Sequence, residues 1–269
     1  MKINKEIKIG GVILGIYFLW AITWILLKGN TFAPQMNIEK ELVAPSINGF
    51  VFGADVLGRS LFEVLSVGLV YTFTISFVVS LSSCLLGILI GYLSAMKIKF
   101  VSEFMDLFTN IIFIFPSILL AILVMSMSGA SVTGLVLCLI FTSWPGYARI
   151  ARGETLRVMN LGFVESARAI GVSNFRLFYK SILPSILPVI SIHFVLGLSG
   201  VVISEASLGF LGLGASEYSW GAILAMAKVV LLEAPHVVLV TSLLMTGLIV
   251  SLNLFSDGLR DALDPKNQN

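Results

Sequence analysis

Long stretches without a single Asp, Glu, Lys or Arg run through this chain, at residues 9–27, 64–96, 107–148, 181–204 and 234–256. A helix crosses the hydrocarbon core of a bilayer with about 20 apolar residues. Inside lipid the backbone has no water to bond, so only helices or closed barrels can span it. Four of the stretches accommodate one helix each. The stretch 107–148 is about twice the spanning length. Near its middle, Ser126-Met127-Ser128-Gly129-Ala130-Ser131 supplies the small residues of a turn. Six spans are therefore expected, at about 9–27, 65–96, 107–126, 131–148, 182–205 and 234–256. The chain has 269 residues, 57% hydrophobic and 12% charged, against about 25% charged in soluble domains. The expected fold class is all-α, a polytopic membrane helix bundle forming one domain over 1–269.

Basic residues orient the spans. With the N-terminus cytoplasmic, the inside segments hold Lys2, Lys5, Lys8, Lys97, Lys99, Arg149, Arg152, Arg157, Arg168, Arg176, Lys180, Arg260 and Lys266. The outside segments hold only Lys28, Lys40, Arg59 and Lys228. Thirteen of the 17 basic residues on one side is the asymmetry of cytoplasmic loops. Both termini are then inside. The first span follows three lysines, as in a signal peptide, but it is longer than the apolar region of one and no Ala-x-Ala site follows, so it reads as an uncleaved span. Topology accounts for the basic residues, and nothing supports nucleic-acid binding. Cys84 and Cys138 lie in apolar helices without ligand spacing and read as small packing residues.

Local features mark the ends of the spans. The segment 30–63 contains Pro34, Pro45 and Asn48-Gly49, then Phe52-Gly53-Ala54-Asp55-Val56-Leu57-Gly58-Arg59-Ser60. It reads either as a solvated loop with one Asp/Arg pair or as an ordered cap leading into the second span. Residues 64–96 exceed what a bilayer requires, so the helix tilts or emerges from the core. Pro116 frees a backbone carbonyl in the third span and kinks it, for shape or as a hinge. The fourth span ends at Trp144-Pro145-Gly146-Tyr147-Ala148-Arg149, with aromatic residues at an interface and Arg149 beyond it. The outside segment 206–233, with Ser207-Leu208-Gly209-Phe210-Leu211-Gly212-Leu213-Gly214, is too apolar for a plain loop and reads as re-entrant or surface-packed.

The basic stretch 160–180 stands apart. Phe163, Ala167 and Ile170 recur at helical spacing, with Glu165 and Arg168 between them, and Gly171 ends or bends the helix. Such a helix lies on anionic lipid or seats in a groove of another protein. Periodicity does not separate the two.

Titratable groups are nearly absent from the spans: His193 lies within one, and Glu205 and His236 lie near ends. Ion-coupled carriers place acidic or basic relays at the membrane midplane, so secondary transport is disfavoured. No Gly-x-x-x-x-Gly-Lys-Ser/Thr loop is present to bind ATP, and no metal-ligand spacing or catalytic constellation appears. The chain reads as a bundle with a docking element and no engine of its own.

Glu165-Ser166-Ala167, then Gly171, then Leu183-Pro184 resembles the EAA motif of ABC-importer permeases. Several other segments are similar to the second, C-type permease of dipeptide, oligopeptide and nickel importers. They are residues 52–59, Trp144-Pro145 with Ala148-Arg149 and Arg152-Gly153-Glu154, residues 205–214, Ser219-Trp220-Gly221, and Asn253-Leu254 with 257–265. The resemblance runs in order from about residue 50 to 265. Departures include Ala54 for Thr, Ser60 for Asp, Ser166 for the middle Ala, and Ser181 and Ser185 where His and Asn are frequent.

The resemblance implies a type I importer permease in a bacterial cytoplasmic membrane, with no enzymatic activity of its own. Implied partners are a homologous second permease subunit, two ATP-binding subunits that hold ATP and Mg, an extracytoplasmic substrate-binding protein, and membrane lipid. Glu165, Ser166, Ala167, Gly171, Leu183 and Pro184 become the residues expected to couple the chain to the ATPase. Glu165 contacts the partner, Ser166 and Ala167 permit close approach, Gly171 turns the chain, and Leu183-Pro184 starts the fifth span. Peptide is the first choice of substrate and nickel or a metal–chelator complex the second. A lipid-binding scaffold is the alternative of another class.

Overall fold

The computed structural model describes residues 5–29, 32–47, 49–96, 99–129 and 131–263. Lys2, Asn30, Asn48, Lys97, Ala130 and the polar stop at Asp264-Pro265-Lys266 lie outside the described residues. Ten α-helices appear among the described residues: α1 (Lys5–Lys28), α2 (Leu61–Ala95), α3 (Lys99–Ile114), α4 (Ser117–Ser128), α5 (Val132–Met159), α6 (Gly162–Ala169), α7 (Asn174–Leu177), α8 (Leu183–Phe210), α9 (Trp220–Ala227) and α10 (Pro235–Leu263). Helices α1, α2, α5 and α10 and the continuous run from α7 to α8 are long and apolar enough to cross a membrane. Helices α3 and α4 are long and apolar enough only when taken together, bent by 83° at the break between them, so the described residues hold five spanning helices, or six if this pair is one broken span.

Helix α2 packs along α5 at the centre of the bundle. Lipid provides little hydrophobic drive between helices, so close backbone approach through small residues holds them together. Gly87 and Gly91 lie one turn apart on α2, and a Cβ at either would collide with the Tyr147–Ala148 stretch of α5. Hydroxyls of Ser76, Ser80 and Ser83 are buried on α2. On the other side, α1 lies against α10, where the Tyr17 hydroxyl donates to the Leu244 carbonyl at 2.7 Å.

One end of the bundle is closed by an ordered cap. Asp55 is 1% exposed and Arg59 0%. The Asp55 carboxylate accepts from the backbone N–H groups of Leu57 and Arg59, each at 2.9 Å. Its second oxygen accepts from Arg59 Nε at 2.7 Å. Arg59 also donates to Glu217 at 2.9 Å from the loop between α8 and α9, and its guanidinium lies 5.4 Å from the centroid of the Tyr218 ring. Burial, followed by the Glu217 carboxylate, holds the Tyr218 phenol above its ordinary pKa. The segment is a cap and not a solvated loop: Asp55 and Arg59, four residues apart, are buried and paired inside it.

Helix α9 explains the apolar segment after α8. Its Trp220 is 1% exposed, joins the core formed by α1, α2 and α10, and donates to the Leu65 carbonyl at 3.1 Å. Gly221 has no room for a Cβ against the Ala206 carbonyl of α8. Ser219 caps α9 by accepting from the Ala222 N–H at 3.1 Å. The segment is therefore packed on the bundle.

The third span departs from a kinked single helix. A proline removes one backbone donor and clashes with the turn before it, and here the helix stops at Ile114 and restarts at Ser117. The helix before the break starts at Lys99, not near 107. Asp106 ends the charge-free stretch but not the helix, and its carboxylate meets Arg152 of α5 at 2.6 Å. The remaining spans fall on the expected stretches and run past them. Helix α2 begins at Leu61 and α5 continues to Met159, since hydropathy marks the membrane while the helix continues into polar residues.

Candidate functional site

Helix α5 carries the chain to the basic end of the bundle. After Met159 it turns at Asn160-Leu161 into α6. Val164, 0% exposed, anchors α6 among Val158, Met159, Leu177 and Ile182. The spacing 163, 167, 170 does not describe a single buried stripe. Val164 is buried and Ala167 half-buried, while Phe163 and Ile170 face out. Glu165 and Ser166 are exposed. The Ser166 hydroxyl donates back to the Gly162 carbonyl at 2.9 Å, so its bond stays within α6.

Gly171 has φ +82°, in the region that L side chains rarely adopt. Its N–H bonds the Arg168 carbonyl at 2.9 Å, and the Val172 N–H bonds the Ala167 carbonyl at 3.0 Å. This pair of bonds is a Schellman motif, which satisfies the last carbonyls of a helix. Ser173 then caps α7. The Tyr92 hydroxyl of α2 reaches down to the Asn174 carbonyl at 3.2 Å, and its ring lies 4.1 Å from that of Phe178. The two short helices form a hairpin bolted to the bundle from within.

Pro184 stands in the first turn of α8, with Leu183 before it. The backbone does not begin its helix there. It is helical from Asn174 and passes through a π-helical turn at Phe178–Ile182. A wider turn there bridges two helical segments where Pro184 lacks an N–H to continue the ladder. Leu183-Pro184 thus mark a joint within a longer helix.

The structure brings Glu165, Ser166, Ala167 and Gly171 onto one projecting hairpin, and Leu183-Pro184 onto the helix that leads away from it. Sequence reasoning did not find the apolar surface beside them. Phe175 is 79% exposed and Ile170 82%.

A cavity of about 360 Å³ opens between α4, α5 and α8. Ser117, Thr142, Ser143, Tyr147, His193 and Ser204 place polar groups on it, and Ile118, Leu139, Val201 and Leu208 apolar ones. No Asp, Glu, Lys or Arg lines it. The Tyr147 ring fits because α8 has Gly197 opposite its hydroxyl. These residues carry no spacing signal of their own, since three separate helices contribute them.

A charge-poor bundle with an open cavity between α4, α5 and α8 and an exposed hairpin at its basic end is the form of a membrane transport subunit. The chain belongs to the family of binding-protein-dependent transport system inner membrane components, whose profile matches residues 87–269. It is an ABC importer permease subunit of the multi-pass inner-membrane type. It is 37% identical over 221 residues to the glutathione transport system permease protein GsiD of Escherichia coli O1:K1 / APEC, covering 80% of this chain and 72% of that protein. The GsiD protein of Pectobacterium atrosepticum is 36% identical over 220 residues, with the same coverage of 80% and 72%. Among solved structures, the fold matches an inward-facing MetNI methionine ABC transporter with TM-score 0.64 and 19% identity, covering 75% of this chain and 96% of that one. An amino acid ABC transporter crystallised with histidines matches with TM-score 0.55 and 18% identity, covering 73% and 91%.

Proposed function

We propose that this chain forms half of the pathway of a peptide importer, and that the α6–α7 hairpin is its contact with an ATPase. The exposed hairpin carries the reading. It presents Glu165 and Ser166 together with Phe163, Ile170 and Phe175 to the outside, while buried Val164 and Leu177 fix it to the bundle. A helix meant to lie on lipid sinks one continuous apolar face into the interface. Here apolar Phe163 and Ile170 share the exposed surface with Glu165 and Ser166, so the surface offers a partner both apolar and polar contacts. A homologous permease supplies the other half of the pathway, two ATP-binding subunits the energy, and an extracytoplasmic binding protein the cargo.

The relatives named for glutathione favour peptide over nickel. The cavity is consistent with a peptide backbone: its hydroxyls can bond amides, and its lack of charge imposes no fixed side chain. The test is uptake by cells that express the complete operon and lack other peptide importers. Labelled glutathione or dipeptide is expected to accumulate in an ATP-dependent way, and accumulation of nickel without peptide overturns the peptide reading.

Both termini and the hairpin are cytoplasmic in this reading, supported by the placement of thirteen of 17 basic residues. Cys84 and Cys138 are buried, so introduced cysteines report cleanly. Ile170→Cys is expected to react with a membrane-impermeant maleimide only in inverted vesicles, and Ile47→Cys, 98% exposed at the cap end, only in right-side-out spheroplasts. The opposite pattern overturns the orientation.

A further inference from the structure

The hairpin explains how the chain meets a partner but leaves open how movement there reaches the cavity. The Trp144–Arg152 stretch, singled out in the sequence and given no role by the hairpin, supplies a route. Helix α5 is one unbroken helix from Val132 to Met159. It lines the cavity with Thr142, Ser143 and Tyr147 and ends two residues before α6. Between those stations it grips α3 three times. Arg152 meets Asp106 at 2.6 Å. The Arg149 guanidinium lies 4.2 Å from the centroid of the Phe113 ring. Trp144 stacks on Phe108 with centroids 5.4 Å apart and planes 21° apart.

Beyond Ile114 the picture changes. The chain breaks at Phe115-Pro116 and turns through 83° into α4, whose Ser117, Ile118 and Ala121 form a cavity wall. Helix α3 is thus tied to α5 at three places, and α4 follows it across a break that has no continuous hydrogen-bond ladder. Farther along, α4 packs on α5 directly, with Ala121 and Met125 against Leu135, Cys138 and Leu139.

We propose that Asp106, Phe108, Phe113, Trp144, Arg149 and Arg152 form a clamp that makes α3 follow α5, so that displacement of the hairpin shifts the Ser117 end of α4 at the Phe115-Pro116 break, with Ala121 and Met125 as its pivot on α5, and opens or closes the cavity wall. These are positioning residues, since none of the six lines the cavity. The inference rests on the reading of α6 as the ATPase contact. The ion pair suits a moving part. Its side chains are 39% and 31% exposed, and exposed pairs contribute little to static stability. The pair therefore orients α3 more than it holds the fold together, while Trp144, 3% exposed, packs the two helices.

The test uses the complete importer in nanodiscs and proteoliposomes, with Asp106→Arg, Arg152→Asp and the double exchange. Each single variant is expected to lose transport on the order of tenfold, in the usual range of coupling between sites, while the assembled complex hydrolyses ATP as before. The double exchange is expected to regain most of the transport. Spin labels at Leu119 of α4 and Leu187 of α8, both exposed, report the Ser117 end of the wall directly. Their ATP-dependent distance change should vanish in the single variants and return in the exchange. Arg152→Lys, which keeps the charge, provides a second variant if the exchanges fail to assemble, and it is expected to retain most of the transport. Single variants that transport normally, or that lose transport while the distance still changes with ATP, overturn the clamp. A substitution at Gly171 separates the two readings. If it uncouples transport and the clamp variants do not, the clamp alone fails; if it does not uncouple, the hairpin reading fails.

Discussion

Replacing Arg59 with alanine is expected to destabilise the protein by about 3–5 kcal/mol, because it strands a buried carboxylate. Asp55 is 1% exposed and accepts from the Arg59 side chain at 2.7 Å. Removing that side chain leaves the Asp55 charge with only the two backbone N–H groups of Leu57 and Arg59. Asp55→Ala is expected to cost a similar amount from the other side, since it deprives those N–H groups of an acceptor and leaves the guanidinium buried. The double variant should cost less than the sum of the two, because the second removal relieves the charge that the first exposes. Glu217 provides the internal control. Its side chain is 50% exposed, and Glu217→Gln is expected to cost no more than about 1 kcal/mol. Thermal unfolding of the purified complex in detergent, followed by reactivity of the buried Cys84 and Cys138, measures all four. Equal costs for Arg59→Ala and Glu217→Gln would overturn the view that the cap is built around the Asp55–Arg59 pair.

That pair shows which parts of the structure could be read from sequence. Asp55 and Arg59 are four positions apart, so local spacing announced them. Glu217 lies 158 positions from Arg59, and nothing local points to it. The apolar stretches were legible because lipid excludes charge, and four of the five became one long helix each, while 107–148 divided among α3, α4 and α5. Their ends were less so. A hydropathy scale marks the membrane and not the helix: the basic residues after Arg149 continue the helix, and Arg152 and Glu154 lie inside α5. The clamp was hidden for the same reason as Glu217: Asp106 and Arg152 are 46 positions apart and meet only because α3 folds against α5. Gly87 and Gly91 did carry a signal, two small residues one turn apart in a membrane helix, which identifies the face of α2 that meets α5. In the hairpin, the turn at Gly171 was readable from the residue itself. The exposure of Phe175 and Ile170 was not, since helical spacing marks a face without saying what covers it.

Gly171→Val is expected to uncouple transport from ATP hydrolysis while the protein still folds. The backbone there has φ +82°, and a β-branched residue in that region costs about 1–3 kcal/mol. Nothing lies within 4 Å of the position a Cβ would occupy, so the cost is conformational and not a clash. The chain can relieve it only by abandoning the Schellman bonds of Gly171 and Val172. That unwinds the end of α6 and re-aims Ile170 and Phe175. Val164 and Leu177 stay in their cluster, which keeps the rest of the bundle intact. The lever would then be anchored at its root and misdirected at its tip. Asparagine adopts this backbone conformation more readily than other side-chain-bearing residues, so Gly171→Asn is expected to transport best of the series, Gly171→Ala less, and Gly171→Val least. Transport and ATP hydrolysis measured in the same proteoliposomes read the result. In the valine variant, the ratio of substrate moved to ATP consumed should fall on the order of tenfold, with the complex still assembled. Unchanged coupling across the series would mean that the hairpin's turn does not set its contact with the ATPase. A loss of assembly in the alanine and valine variants alike would mean that the turn serves docking itself, before any movement is transmitted.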